Sequence, residues 1–206
     1  MKESRTNAGM AAAAGIAARD ARFVALDFET TGSVAGWDVE PWQLGLVEVV
    51  GGEVRPETAY ESWLRVDADR PFNPHAPGRH GQMRDTLAEA PSLAELYGDL
   101  DARFAGAVLA AHNVGTERTM LRRAFPMMDM GPWLDTLKLV RRFHPELPTG
   151  SLEHVIDDLG LRGKVDAACP GRTCHDALYD AVACAVLLGY FLSLPGWENV
   201  PLQALL

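Results

Sequence analysis

The sequence is short of cysteine, short of positive charge and without a hydrophobic run long enough to cross a bilayer. Each shortage excludes a class of protein. Three cysteines, at 169, 174 and 184, stand among 206 residues. An odd, small number in a chain of this length builds no disulfide framework and suggests a reducing compartment, so a cytoplasmic location is expected. Cys169 and Cys174 lie five apart, with no third cysteine near enough to complete a zinc knuckle, and read as two loop thiols. Basic residues number 19 against 28 acidic ones, a net charge of −9. That balance argues against a protein that coats nucleic acid by bulk charge, but it permits an enzyme that grips one strand end at a local site. The run Ala181 to Leu194 is uncharged for 14 residues, below the ~18 to 20 that span a membrane. Pro195 and Gly196 stop it, so a buried core helix is expected and no membrane anchor. The alanine-rich stretch Met10 to Ala18 lacks the strongly apolar centre of a signal peptide. Residues 8 to 20 therefore read as a short helix or frayed leader.

What is present is ordinary globular material, 48% hydrophobic and 23% charged, enough for one domain with short extras. The expected division is a leader over 1–20, one domain over 21–195 and a tail over 196–206. Arg22 to Glu29 (RFVALDFE) is almost continuously apolar until its two acids, as a strand buried on both faces should be. Gln43 to Val50, Gly51-Gly52 and Glu53 to Val66 read as two strands joined by a two-residue turn. Residues 71 to 81 form a loop. Residues 92 to 104 read as a helix with Ser92 and Glu95 as its capping box, and Ala107 to Ala111 as a buried strand. Thr116 is read as the cap of a helix reaching Phe125. A brief strand at Trp133-Leu134 precedes helices over 135–143, 151–159 and about 176–194. Three strands in a meander followed by alternating helix and strand give an α/β domain with a mixed sheet flanked by helices.

Three groups of residues carry chemistry. On a strand, side chains at i and i+2 share a face, so Asp27 and Glu29 place two carboxylates side by side near a strand end. Unpaired anions there repel and resist desolvation, a conflict that a hard divalent cation such as Mg²⁺ or Mn²⁺ resolves. His112 and Asn113 follow the next central strand, with Glu117 at the start of the following helix. A strand parallel to the first would deliver all three to the same sheet edge. His175 and Asp180 lie five apart, about 140° around a helix, and face one site only if His175 precedes the helix. Taken singly, each has a plainer reading: solvated loop acids, a helix-dipole glutamate, a capped first turn. Arg118, Arg122, Arg123, Lys138, Arg141, Arg142, Arg162, Lys164 and Arg172 read as helix-surface charge, although they could line a phosphate track.

Taken together, FVALDFETTG (23–32), AHNVGTERTML (111–121), WLDTLKL (133–139) and HDALYDA (175–181) resemble the DEDDh 3′–5′ exonucleases, the group that includes the proofreading subunit of bacterial DNA polymerase III. The similarity covers about residues 20 to 194, and His80-Gly81 sits where the family often carries a His-Gly pair. The resemblance implies a ribonuclease H-like five-stranded sheet. It also implies two-metal hydrolysis of phosphodiesters at single-stranded 3′ ends, with DNA favoured over RNA. Asp27, Glu29 and Asp180 would hold the first Mg²⁺ or Mn²⁺, and Asp27 would also touch the second. Glu117 would act on the second through water, and His175 would be the general base. Substrate contacts would come from Thr30, Thr31, His112 and Asn113, with Phe28 as a base-stacking wedge. Strand alternation argues the opposite for Phe28, turning its ring away from the acids and into the core. One departure stands out: the family's His-Asn-x-x-Phe-Asp reads here with Thr116 and Glu117 in its last two places. Its consequence is either a retained charge on a longer arm or a strand-binding module that has lost its chemistry. The chain ends 26 residues after Asp180, where the polymerase subunit carries a longer polymerase-binding tail. A stand-alone nuclease is therefore expected in preference to a stable replicase partner. Oligomeric state is left open.

Overall fold

The strand Arg22–Thr30 (β1) is the centre of the sheet because both of its faces are apolar. The computed structural model describes residues 15–76, 78 and 83–206. His80, Gly81 and the leader as far as residue 14 lie outside the described residues. β1 pairs antiparallel with Pro41–Val50 (β2), which pairs antiparallel with Glu53–Trp63 (β3). On its other side β1 runs parallel to Val108–Ala111 (β4), and β4 runs parallel to Trp133–Asp135 (β5). The order is β3-β2-β1-β4-β5, a mixed five-stranded sheet. Gly51 and Gly52, at φ 64° and 79°, supply the left-handed pair that a two-residue hairpin turn needs. β3 ends at Trp63, three residues short of the expected Val66.

Helices cover both faces. Tyr97–Phe104 (α2) and Gly115–Ala124 (α3) pack on the side to which Val24, Leu26 and Phe28 point. Arg84–Glu89 (α1), which has no counterpart in the sequence reading, closes a small cluster of Trp42, Val66 and Leu87. On the other face lie Thr136–Phe143 (α4), Leu152–Asp158 (α5), Arg162–Ala168 (α6, also unforeseen) and Ala177–Leu192 (α7). They bury Phe23, Ala25, Val47 and Val49. α7 is the central helix of that layer, with 13 of its 16 residues buried. Its uncharged run is thus a core helix, and no described helix is long and apolar enough to cross a membrane.

Several boundaries moved for local reasons. The expected helix over 92–104 begins as a 3-10 turn, Leu93–Leu96, behind the Ser92–Glu95 capping box, and becomes α-helical only at Tyr97. Thr116 is not a cap. Asn113 takes φ 71° and gives its N–H to Asp135 Oδ1 at 3.0 Å, so the chain enters α3 already at Gly115. Ser151 precedes α5 but its hydroxyl pairs with His154 Nδ1 at 2.6 Å instead of with backbone. The described part of the leader has one 3-10 turn, Ala18–Asp20. Leader and tail meet: Ala18 N–H donates to the Val200 carbonyl at 2.7 Å and Leu202 N–H to that of Ile16 at 3.0 Å. Ala18, Trp197 and Leu202 join the same core as α7.

Candidate active site

The site forms where β1, β4 and α7 converge, at the C-terminal edge of the parallel strands. Asp27 and Glu29 project from β1 toward the α7 layer, on the same face as Phe23 and Ala25. Opposite Asp27 in the β2 register stands Gly45. A Cβ there would lie 2.3 Å from the backbone of Ala177 and Leu178. The missing side chain is therefore what lets the first turn of α7 rest on the sheet, which brings Asp180 to the two β1 acids. Asp176 caps α7, accepting from Leu178 N–H and Tyr179 N–H. His175 precedes the helix in a left-handed conformation, φ 64°, and its N–H donates to Asp180 Oδ2 at 2.9 Å. With His175 on that loop, the separation around the helix axis no longer keeps it from Asp180. Ligand atoms of Glu29, His175 and Asp180 all lie within 4.8 Å of one another.

These acids raise one another's proton affinity. Burial first, then Glu117, Asp180, Glu29 and Asp176, hold Asp27 well above the usual carboxylate range. Burial pushes Glu29 up to about 8, helped by Asp180 and Asp176. Glu117 rises to about 7, chiefly through burial. Asp180 rises to about 6, desolvation outweighing the His175 N–H that favours its charged form. Among the described residues, no Lys or Arg hydrogen-bonds to any of the four. Glu117 Oε2 is buried without a hydrogen-bond partner.

An orphaned buried carboxylate oxygen beside three more hard oxygen donors is the donor set that Mg²⁺ or Mn²⁺ takes. The residues present therefore fit a divalent cation. Without one, the cluster must hold protons to remain buried.

Other expected site residues are placed differently. Phe28 is 5% exposed and packs with Leu26 and Leu44 on the opposite face of the sheet, so its ring is no wedge. Strand alternation, which already pointed that way, prevails. Thr31 is fully buried. Its hydroxyl accepts from Glu40 N–H at 3.1 Å and from Arg70 at 3.1 Å, which fixes the loop after β1 and leaves no side chain facing a substrate. Both nitrogens of His112 are taken, by Thr136 Oγ1 at 3.0 Å and by the Gly150 carbonyl at 2.6 Å. Burial lowers its pKa. His112 thus ties β4 to α4 and to the loop before α5, whereas Asn113 next to it is exposed. Thr30, at the end of β1, remains at a cleft.

That cleft, about 490 Å³, runs between the loop after β1 and the start of α3. Thr30, Gly32, Thr116 and Met120 line it, together with Trp37, an indole that the sequence reading passed over. Trp37 is 47% exposed and rests on the guanidinium of Arg70, 5.1 Å from the ring centre. Arg70 is itself 1% exposed, hydrogen-bonded to the Asp38 and Pro71 carbonyls and paired with Glu40. A second arrangement missed in the sequence lies behind the acids. Gln43, opposite Glu29, is buried; it donates to Glu61 at 2.8 Å and accepts from Ala177 N–H at 3.2 Å. Arg172 bridges Glu61 to Asp176 and is thereby unavailable as phosphate track, as is Arg162, held by Asp157. The partners in these networks are up to 134 residues apart, so no local pattern announces them.

Comparison with known proteins adds a family and a fold. The family model described as Exonuclease, of RNase T type, matches residues 24–188. Among curated relatives, the DNA polymerase III PolC-type protein of Oceanobacillus iheyensis is 29% identical over 81% of this chain, which spans 11% of that protein. The chain thus spans about a tenth of the length of such relatives. The DNA polymerase III epsilon subunit of Escherichia coli is 29% identical over 86% of this chain and 73% of its own length. Among solved structures, Escherichia coli exonuclease I with a dT13 oligonucleotide superposes with TM-score 0.65 at 17% identity, covering 84% of this chain and 41% of that one. A 3′-exonuclease recognising a histone mRNA stem-loop gives 0.64 at 14% identity, covering 83% and 81%. At such identities these structures establish the shared fold.

Proposed function

The chain belongs to this exonuclease family, and from that premise we propose that it is a metal-dependent 3′–5′ exonuclease acting on single-stranded nucleic acid, with DNA favoured over RNA. The observation that carries the reading is the convergence of Glu29, Asp180 and the His175 imidazole within 4.8 Å, beside Asp27 and an unpartnered Glu117 oxygen. Asp27, Glu29, Glu117 and Asp180 would hold two ions, Mg²⁺ or Mn²⁺. When bound, such ions lower the pKa of a water molecule and neutralise charge on the leaving 3′ oxygen.

The chain's own groups do the rest. His175 is exposed and its ring makes no hydrogen bond to a described residue, so a ring nitrogen is free to take a proton from the attacking water. Exposure lets that proton pass on to solvent. The Asp180 carboxylate, bonded to His175 N–H, holds the loop in its left-handed turn and so aims the imidazole. Trp37, beside Thr30, offers the flat apolar face on which a base can stack, the role first given to Phe28. Glu117 supports an active enzyme over an inert binding module, because its longer side chain still adds to the field at Asp27.

The test is incubation of the purified chain with 3′- and 5′-labelled single-stranded DNA and RNA, in Mn²⁺, Mg²⁺ or chelator. Mononucleotide release that starts at the 3′ end and stops with chelator is expected. Strand binding with no cleavage in either metal would favour the inert module and overturn the proposal. If Glu117 alone is responsible, Glu117→Asp should restore cleavage.

A further inference from the structure

His175 belongs to two clusters. One is the hard-oxygen group with Glu29 and Asp180. The other joins Glu153, from the first turn of α5, with Cys174 and His175 on the loop before α7. One ligand atom from each of these three lies within 4.8 Å of the others. Cys174 Sγ donates to Glu153 Oε1 at 3.4 Å, so sulfur and carboxylate already point at one another. The cation nearest this carboxylate is weakly engaged: Arg162 stands 3.9 Å from Glu153 Oε1 and is committed instead to Asp157 at 2.8 Å.

The donor chemistry differs from that of the first cluster in kind. Asp27, Glu29, Glu117 and Asp180 offer hard oxygen alone, which suits Mg²⁺ or Mn²⁺. One thiol, one imidazole and one carboxylate form a mixed set that Mg²⁺ does not take and Zn²⁺ does. Three protein donors leave the fourth tetrahedral position to water. Glu153 and His175 are exposed and Cys174 half-buried, so an ion reaches the triad without any opening of the fold.

We propose that Glu153, Cys174 and His175 form a second metal site, selective for Zn²⁺, which inhibits the nuclease by capturing the imidazole of His175. On binding, the Cys174 thiol loses its proton to solvent and the thiolate binds the ion. An imidazole nitrogen gives its lone pair to the same ion and can no longer accept a proton from water. The site itself stands on these side chains, and only its inhibitory consequence rests on the proposed nuclease reading.

Co²⁺ is the probe, because a cobalt–thiolate bond absorbs in the near ultraviolet. The full chain is titrated with Co²⁺ in excess Mg²⁺ beside Cys174→Ser and Glu153→Gln. The wild type should develop the charge-transfer band with one equivalent and lose it when Zn²⁺ is added. Cys174→Ser should show no band, and Glu153→Gln should need at least tenfold more Co²⁺. Persistence of the band in Cys174→Ser overturns the site. In nuclease assays with Mg²⁺, half-inhibition of Cys174→Ser, relative to its own uninhibited rate, should need at least tenfold more Zn²⁺ than the wild type. Equal zinc sensitivity overturns the inhibitory role. If no cleavage occurs in any metal, the nuclease reading fails, and the cobalt band still decides the site.

Discussion

His112 and His175 stand at the same edge of the sheet and are employed in opposite ways. His112 has a partner on each nitrogen and is buried enough to favour its neutral form. His175 exposes its ring and is fixed only through its backbone. The residue type is shared, and what separates a tie from the proton acceptor we propose is which atoms are already spoken for. Around His112 the chain spends its polar groups on itself. Around His175 it leaves them facing outward or crowded together without counter-charge.

Four measurements press on this contrast. The largest effect belongs to His175→Ala, for which nuclease turnover should fall about 10²- to 10⁴-fold, the span of a lost general base, while the melting temperature stays near that of the wild type. A parallel collapse in melting temperature would show that His175 is a tie as well. His112→Ala should do the reverse. It strands the Gly150 carbonyl, while the Thr136 hydroxyl keeps the Ala111 carbonyl at 3.3 Å, which predicts a loss of roughly 1–3 kcal/mol in denaturant unfolding, with activity per folded molecule much less affected. Next comes Trp37→Ala, where a lost stacking face worth about 1–3 kcal/mol should raise KM for single strands several-fold or more and leave kcat almost intact. A kcat defect of equal size would instead make Trp37 a prop for the loop after β1.

The last measurement probes the acids through Glu29. Its folded pKa, about 8, lies above its ordinary 4.5. The native metal-free protein therefore binds more protons than the unfolded chain between those values, and this group's contribution to stability falls as pH rises. His112 works the other way, since its lowered folded pKa removes stability as pH falls below about 6.5. The difference between Glu29→Gln and wild type isolates the carboxylate. The variant should melt higher in chelator, with a margin that widens from about pH 5 to about pH 8. Added Mn²⁺ should narrow or reverse that margin, and a margin independent of pH would contradict crowding of charge at Glu29.

Much of this was legible in the sequence because it is local. The unbroken apolar run of β1, the double glycine of the hairpin and the Ser92–Glu95 box each state their own geometry within a few residues. Asp27 and Glu29 share a face because strands alternate, and the same rule told against Phe28 as a wedge. The loop position of His175 followed from helix arithmetic, given that it had to meet Asp180. What was not legible depends on distant partners. Thr31 looked like a substrate contact until Arg70, 39 positions away, was seen to occupy its hydroxyl. His112 looked free until Thr136 and Gly150 were seen to hold it. Trp37 lay in a loop without periodicity, and its exposure is a property of what packs beneath it. α1 and α6 are short, six and seven residues, and rest on tertiary contact more than on any capping signal.

Gly45 has a consequence for how this chain can change over time. A single hydrogen atom on β2 sets the distance between the sheet and α7, and through α7 it sets where Asp180 stands. Any larger residue must lift the helix, at a cost of roughly 1–3 kcal/mol for overpacking, and the same lift would carry one acid away from the other three. Durability and chemistry are therefore inherited as one trait at this position, and a descendant that relaxes the first forfeits the second.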